Sequence, residues 1–194
     1  MTDAPLRTEV PPMPRGVENC NPAGLGFWQL VAEDYRTHDR DPFAQGLWAL
    51  FVHRFGNWRM GIENRWLRLP LSLLYKILYK LSQFVCGIDL PYTTRVGRRV
   101  KLEHFGGMIL VARSIGDDVV IRQNTTFGVR NTRELEAKPM IGDRVDIGAG
   151  AVLLGHIRIG DDSVIGANAV VLDDVPAGAL AVGVPARIID RGAR

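Results

Sequence analysis

The chain has 194 residues, a formal net charge of +3 and 23 % charged side chains. That length suits one domain with a smaller accessory element, and no long basic run marks a nucleic-acid partner. Two cysteines, Cys20 and Cys86, without CxxC spacing exclude a disulfide framework and point to reduced, cytoplasmic surroundings.

In chain order, residues 1–24 open with MTDAPLRTEVPPMPRG, rich in proline and lacking an apolar h-region. They carry no secretory signal and read as a disordered arm. Residues 25–88 read as helical and unusually aromatic. A first amphipathic stretch runs from Phe27 to His38. Asp41-Pro42 then supplies an N-cap and a first-turn proline for a second helix reaching about Trp58. A third begins near Ile62, meets Pro70 and continues to Gly87. Its uncharged stretches are too short to span a bilayer, while its basic, aromatic character allows peripheral contact with the inner face of a membrane. Packing against sister helices and a partner subunit is the plainer expectation.

From Asp89 onward the chain counts in sixes. Aliphatic residues recur at Val96, Leu102 and Met108, at Ile115, Ile121 and Phe127, then at Ile141, Ile147, Leu153, Ile159, Ile165 and Val171. A small residue often follows, as in Ile147-Gly148. This period is too short for a helical solenoid and fits a parallel β-helix of hexapeptide repeats over 89–176. Three hexads make one coil, each repeat aliphatic points inward, and stacked coils share one core. About four coils at roughly 4.8 Å spacing would stand about 20 Å tall. The pattern does not set handedness; the general crossover rule predicts right-handed. Between Phe127 and Ile141 the register breaks, and the polar segment 129–139 reads as a loop extruded from a corner, where sites are commonly built. Residues 177–194 form a C-terminal tail.

Of four histidines, His38 and His53 lie in the helical segment and read as structural, and His156 as an outer-surface residue. His104, in LEHFGG, falls two places after the inward position Leu102 and should project outward. Asp89 lies fifteen residues earlier, close to one coil, so its carboxylate can orient that imidazole as a general base.

These residues carry a family resemblance. RDP at 40–42, HRFGNW at 53–58, GIDLPYTTRVG at 87–97, LEHFGG at 102–107, QNTTFG at 123–128, IGAGAVLLG at 147–155 and GVPARII at 183–189 resemble the serine acetyltransferase branch of the hexapeptide-repeat acyltransferases. The resemblance implies a mainly β fold, a left-handed parallel β-helix behind an N-terminal α-helical segment. It implies a homotrimer, with pairing of trimers through residues 25–88, that binds acetyl-CoA between subunits. Catalysis maps onto His104 as base and Asp89 as its partner. The acceptor positions fall on Asp41, Glu103, Ala137 and Lys138, and the acetyl-CoA positions on Gly128, Ala149 and Ala167, with Arg187 as partner for a CoA phosphate.

The acceptor side departs from the family. Glu103 replaces an aspartate, and Ala137-Lys138 replaces an Arg-His carboxylate clamp whose forked geometry a lysine cannot reproduce. The sequence ends at Arg194 without the isoleucine-ended tail that docks family members onto cysteine synthase. These departures resemble relatives in polysaccharide biosynthesis, so the expected acceptor is a sugar hydroxyl, small-molecule or lipid-linked, with serine as the alternative.

A γ-carbonic anhydrase-like enzyme needs three histidines converging on zinc. The solenoid offers only His104 and His156, about three coils apart, so no metal is expected. A non-catalytic scaffold would leave the retained Asp89 and His104 unexplained. A nucleotidyltransferase would need a Gly-rich phosphate loop in a preceding α/β domain, which the sequence lacks.

Overall fold

The computed structural model describes residues 16–190. The expected disordered arm lies outside the described residues as far as residue 15. From Gly16 onward it is fastened instead. Gly16 O accepts from the Tyr92 hydroxyl at 3.0 Å, Cys20 N–H donates to Asn57 Oδ1 at 3.0 Å, and Asn21 Nδ2 donates to Arg54 O at 3.0 Å.

Three helices follow: α1 (Phe27–Thr37), α2 (Gln45–Trp58) and α3 (Arg65–Cys86). α2 does not start at the expected Asp41 cap. The Asp41 carboxylate accepts from Phe43 N–H at 2.9 Å, closing an Asx turn before the helix. α3 starts with Asn64 accepting from Trp66 N–H at 2.9 Å and runs through Pro70, which removes one i→i−4 hydrogen bond. Gly87, at φ 63°, ends it in the left-handed conformation glycine favours. A Cβ there would lie 2.9 Å from Gly106 Cα, so the same glycine lets the LEHFGG turn close on the end of α3.

The strands wind around a three-sided prism. The first coil is β1 (Ile88–Asp89), β2 (Arg95–Val96) and β3 (Lys101–Glu103), and the second is β4 (Met108–Leu110), β5 (Ser114–Ile115) and β6 (Val120–Arg122). The third is β7 (Thr126–Gly128), β8 (Met140–Ile141) and β9 (Asp146–Ile147), and the fourth β10 (Val152–Leu154), β11 (Arg158–Ile159) and β12 (Val164–Ile165). The fifth contains β13 (Val170–Val171), a single bridge from Val175 to Ile159, and β14 (Leu180–Val182). Every third strand pairs in parallel, giving faces β1-β4-β7-β10-β13, β2-β5-β8-β11 and β3-β6-β9-β12-β14. There are thus five coils rather than about four. The solenoid continues past residue 176, because Leu180 and Ala181 still pair with Val164 and Ile165. β15 (Arg187–Ile189) then turns back antiparallel on β14.

All the repeat aliphatics named above are buried, as period-six patterning requires. The glycines after the second face have a further reason. A Cβ on Gly97 would lie 2.6 Å from Gly116 C, one on Gly116 2.4 Å from Gly142 O, and one on Gly142 2.3 Å from Asp161 Oδ1. At this edge, coil stacks on coil too closely for any side chain. Beside it, Asp117, Asp143 and Asp161 each accept from a backbone N–H of the preceding coil at 2.8–2.9 Å.

The helices cover the first coil. Arg54, fully buried on α2, bonds Asp34 on α1 through Nε at 3.0 Å and the Val96 and Gly97 carbonyls at 2.8 and 2.7 Å. Gly46 lets α2 reach β3, where a Cβ would meet Leu102 O at 2.3 Å.

Candidate active site

Where α1, the start of α2 and β3 meet, a cavity of about 340 Å3 opens, lined in part by His38, Asp39, Asp41, Lys101, Glu103 and His104. Three residues expected to act together, Asp41, Glu103 and His104, line this one cavity. His104 is exposed at φ 65°. The same left-handed conformation recurs at this edge on higher coils, at Asn124, Gly150 and Asn168, so it is the corner turn of the β-helix that here carries the histidine. Gly106 and Gly107 follow, also at positive φ, so the turn leaves β3 abruptly and pushes the imidazole off the wall of the prism.

Asp89 does not stack one coil beneath His104, because the first coils are longer than the regular repeat: Asp89 pairs with Ile109, and Leu102 with Ile121. The two are joined differently. Asp89 opens the first coil and His104 closes it, and the closing turn is stitched beside β1 by Gly106 N–H to Cys86 O at 3.3 Å and Met108 N–H to Gly87 O at 3.0 Å. The described hydrogen-bond partner of Asp89 is the hydroxyl of Tyr79, on α3.

The cavity is acidic. Asp39, Asp41 and Glu103 face one lysine, Lys101, which pairs with Asp39 at 2.8 Å and Glu103 at 3.5 Å. Its hydrogen bond to Asp39 holds that carboxyl below its usual range. Glu103 is gripped from the other side by Arg122 Nε at 3.3 Å, and Arg122 also pairs with Asp146. His38, read as structural, also lines the site. Its Nδ1 donates to Asp34 O at 2.8 Å, so Nε2 is left to accept from Leu102 N–H at 3.2 Å. Burial pushes its pKa down, which keeps it neutral.

The remaining candidates sort by edge. Ala149 and Ala167 lie at the same edge as His104 on higher coils, joined by Asn168 N–H to Ala149 O at 2.8 Å. Arg187 is exposed above them on β15. Gly128 ends β7; its φ is not positive, and a Cβ would meet nothing nearer than Leu154 Cδ2 at 3.7 Å. Neither turn geometry nor packing therefore demands glycine there. Lys138 and Ala137 sit in the 129–139 loop, which leaves from the edge between the first and second faces and reaches up to the fifth coil, where Arg130 donates to Leu172 O at 2.9 Å. One chain thus separates Lys138 from Asp41 and Glu103. His156 lies on that other edge, away from His104, and among the described residues no three metal-ligating side chains converge.

Sequence reasoning missed Asp39, Lys101 and Tyr79. Lys101 sits one place before an inward residue, and that outward parity was a usable signal. No spacing rule connects Tyr79 to Asp89.

A hexad-built prism with a histidine turn at its edge defines a class, and the family described as Bacterial transferase hexapeptide (six repeats) matches residues 138–173. A serine acetyltransferase of Helicobacter pylori (strain J99) is 34 % identical over 162 residues, covering 80 % of this chain and 94 % of the relative. One from Mycobacterium tuberculosis is 38 % identical over 145 residues, covering 74 % of this chain, which spans 60 % of that relative's length. The solved soybean serine acetyltransferase complexed with serine superposes with a TM-score of 0.70 at 32 % identity, over 84 % of this chain and 69 % of that one. The chain belongs to the serine acetyltransferase family of hexapeptide-repeat transferases, and its β-helix is left-handed, against the general crossover rule.

The expected sugar acceptor and role in polysaccharide biosynthesis are corrected by these relatives, which are serine acetyltransferases along most of the chain. That expectation weighed Glu103, the Ala137-Lys138 pair and the missing tail, and overlooked the charge of the cavity.

Proposed function

We propose that this chain is an acetyl-CoA-dependent serine O-acetyltransferase working as a trimer. The observation that carries the reading is the acidic cavity beside His104. The lining sets three carboxylates against one lysine, with Arg122 behind Glu103 shared with Asp146, and this acidic excess suits an acceptor that brings an ammonium group next to its hydroxyl, as serine does. Asp41 and Glu103 take the ammonium. Lys138, set on another edge, comes from a neighbouring copy to meet the carboxylate.

His104 accepts the hydroxyl proton as the serine oxygen attacks the thioester carbonyl carbon. Asp89 stabilises the resulting imidazolium, and backbone N–H groups near Gly128 of a neighbouring copy receive the oxyanion. Collapse breaks the C–S bond, and the thiolate leaves as CoA with the proton held by His104. No acetyl-enzyme is needed. Acetyl-CoA runs along the edge marked by Ala149 and Ala167, with Arg187 at a phosphate, and the open space over Gly128 of a neighbouring copy admits the thioester.

Thiol release from acetyl-CoA should saturate with serine and be weak with N-acetylserine, which keeps the hydroxyl but lacks the cation. Equal turnover of both would sink the charge argument. His104→Ala should lose about 10²–10⁴-fold in kcat, and Asp89→Asn less.

A further inference from the structure

Asp89 is reached from the helical layer as well as from the coil. Tyr79 projects from α3, and its hydroxyl donates to Asp89 Oδ1. The ring is not free to swing. It stacks on Tyr75 with centroids 5.5 Å apart and planes 15° from parallel. Tyr75 meets Tyr92 edge-on at 5.3 Å, and the Arg59 guanidinium lies over both, 4.5 and 4.7 Å from their centroids. Tyr79 also packs in the small helical core with Val52, Phe55 and Leu78. Gly87 joins α3 directly to β1, so the donor and the carboxylate sit on two elements linked by one residue.

We propose that Tyr79 is a positioning residue for the acetyl transfer: its O–H fixes one oxygen of Asp89 so that the other is presented to His104. This rests on the catalytic reading of Asp89 and His104. A carboxylate on a two-residue strand rotates freely about its χ torsions unless something holds it, and here a phenol donor backed by an aromatic stack does so. Burial, then the bond to Asp89, pushes the Tyr79 hydroxyl well above its ordinary range, so it remains a donor throughout the working pH. The charged and titratable groups facing Asp89 from α3 are Tyr79 and, behind it, Tyr75; Arg59 faces Tyr75 from the far side.

Tyr79→Phe removes the donor and keeps the stack. We expect kcat to fall about ten-fold, the scale of a hydrogen bond to a charged group, with both KM values within about two-fold. Tyr79→Gln, which retains an N–H donor, should recover part of the loss. In an Asp89→Asn background, Tyr79→Phe should add less than about two-fold, the mark of two residues acting as one unit. A normal kcat in Tyr79→Phe, or a full multiplicative loss in the double variant, overturns the inference. Should Tyr79→Phe not fold, Tyr79→Gln decides: a partial loss that the Asp89→Asn background absorbs supports the inference, and a loss that multiplies in that background overturns it. His104→Ala separates the two levels: full activity in it refutes the catalytic reading itself. An inactive His104→Ala beside an unaffected Tyr79→Phe refutes only the role of Tyr79.

Discussion

His53 is fully enclosed between α2 and the first coil, where its Nε2 donates to Thr94 O at 2.8 Å. Burial first, then the neighbouring Arg54 cation, pushes its pKa from 6.5 to about 3. Above pH 6.5 it is neutral folded or unfolded. Below that the unfolded chain takes up a proton that the folded chain refuses, so stability present above pH 6.5 is lost as pH falls toward 3, at about 1.4 kcal/mol per pH unit. His38 is shifted in the same direction by its burial. Urea midpoints measured at pH 7 and pH 5 should show this loss, and His53→Gln should flatten it; an unchanged slope in that variant would place the titration elsewhere. At this scale the sequence told that His104 and His156 face outward from the coils and that His38 and His53 belong to the helical segment, and both exposed histidines are where it put them. It did not tell that Asp39 and Lys101 line a cavity with His104, because the two pair across 62 residues of sequence that only the tertiary fold brings together.

At the scale of one element, two glycines of similar sequence context have opposite reasons to be glycine. In Gly116, at the second edge, an added Cβ would lie 2.4 Å from both Gly142 O and Asp143 Oδ1, and backbone cannot yield cheaply. Gly116→Ala should cost about 1–3 kcal/mol, as overpacking does, and lower the thermal midpoint. Gly128→Ala has room and should leave that midpoint near the parent while raising KM for acetyl-CoA. A destabilised Gly128→Ala with unchanged KM would contradict the proposed thioester path. Period six made every inward aliphatic legible, since inwardness repeats with each face. Coil length in the first half was not, because the turns at 90–94 and 104–107 add residues without changing which ones face inward. The Asp41 cap was misread for a local reason: an aspartate before proline closes a turn as readily as it starts a helix.

Across the whole molecule, the 129–139 loop and the cavity occupy different edges of one prism, so on the proposed reading a chain working alone holds half of each acceptor site. Trimerisation was suggested by resemblance, and no periodicity could supply it. If neighbouring copies complete each other's sites, two inactive variants should rescue one another. Mixing equal amounts of His104→Ala subunits and subunits lacking residues 131–137 through unfolding and refolding should restore about a quarter of the parent activity, on random assortment of subunits between sites. No recovery, in trimers verified by light scattering, would mean that each chain builds its site unaided.

The reversal of β15 bears on how the protein stays finite. A stack of parallel coils is a template at both ends, since the outermost strands carry unpaired N–H and C=O groups that another stack can extend. Below, α2 and α3 lie against β1 and β3 and shut one end. Above, the chain runs backward along β14, and Ala186 N–H closes on Val170 O at 2.8 Å. A strand of opposite direction offers the wrong hydrogen-bond pattern to an incoming parallel coil. The solenoid therefore terminates its own growth. Ending the chain at Gly183 should convert a particle of fixed mass into one whose scattering climbs with concentration, whereas a fixed mass in that variant would assign the stop to the fifth coil itself.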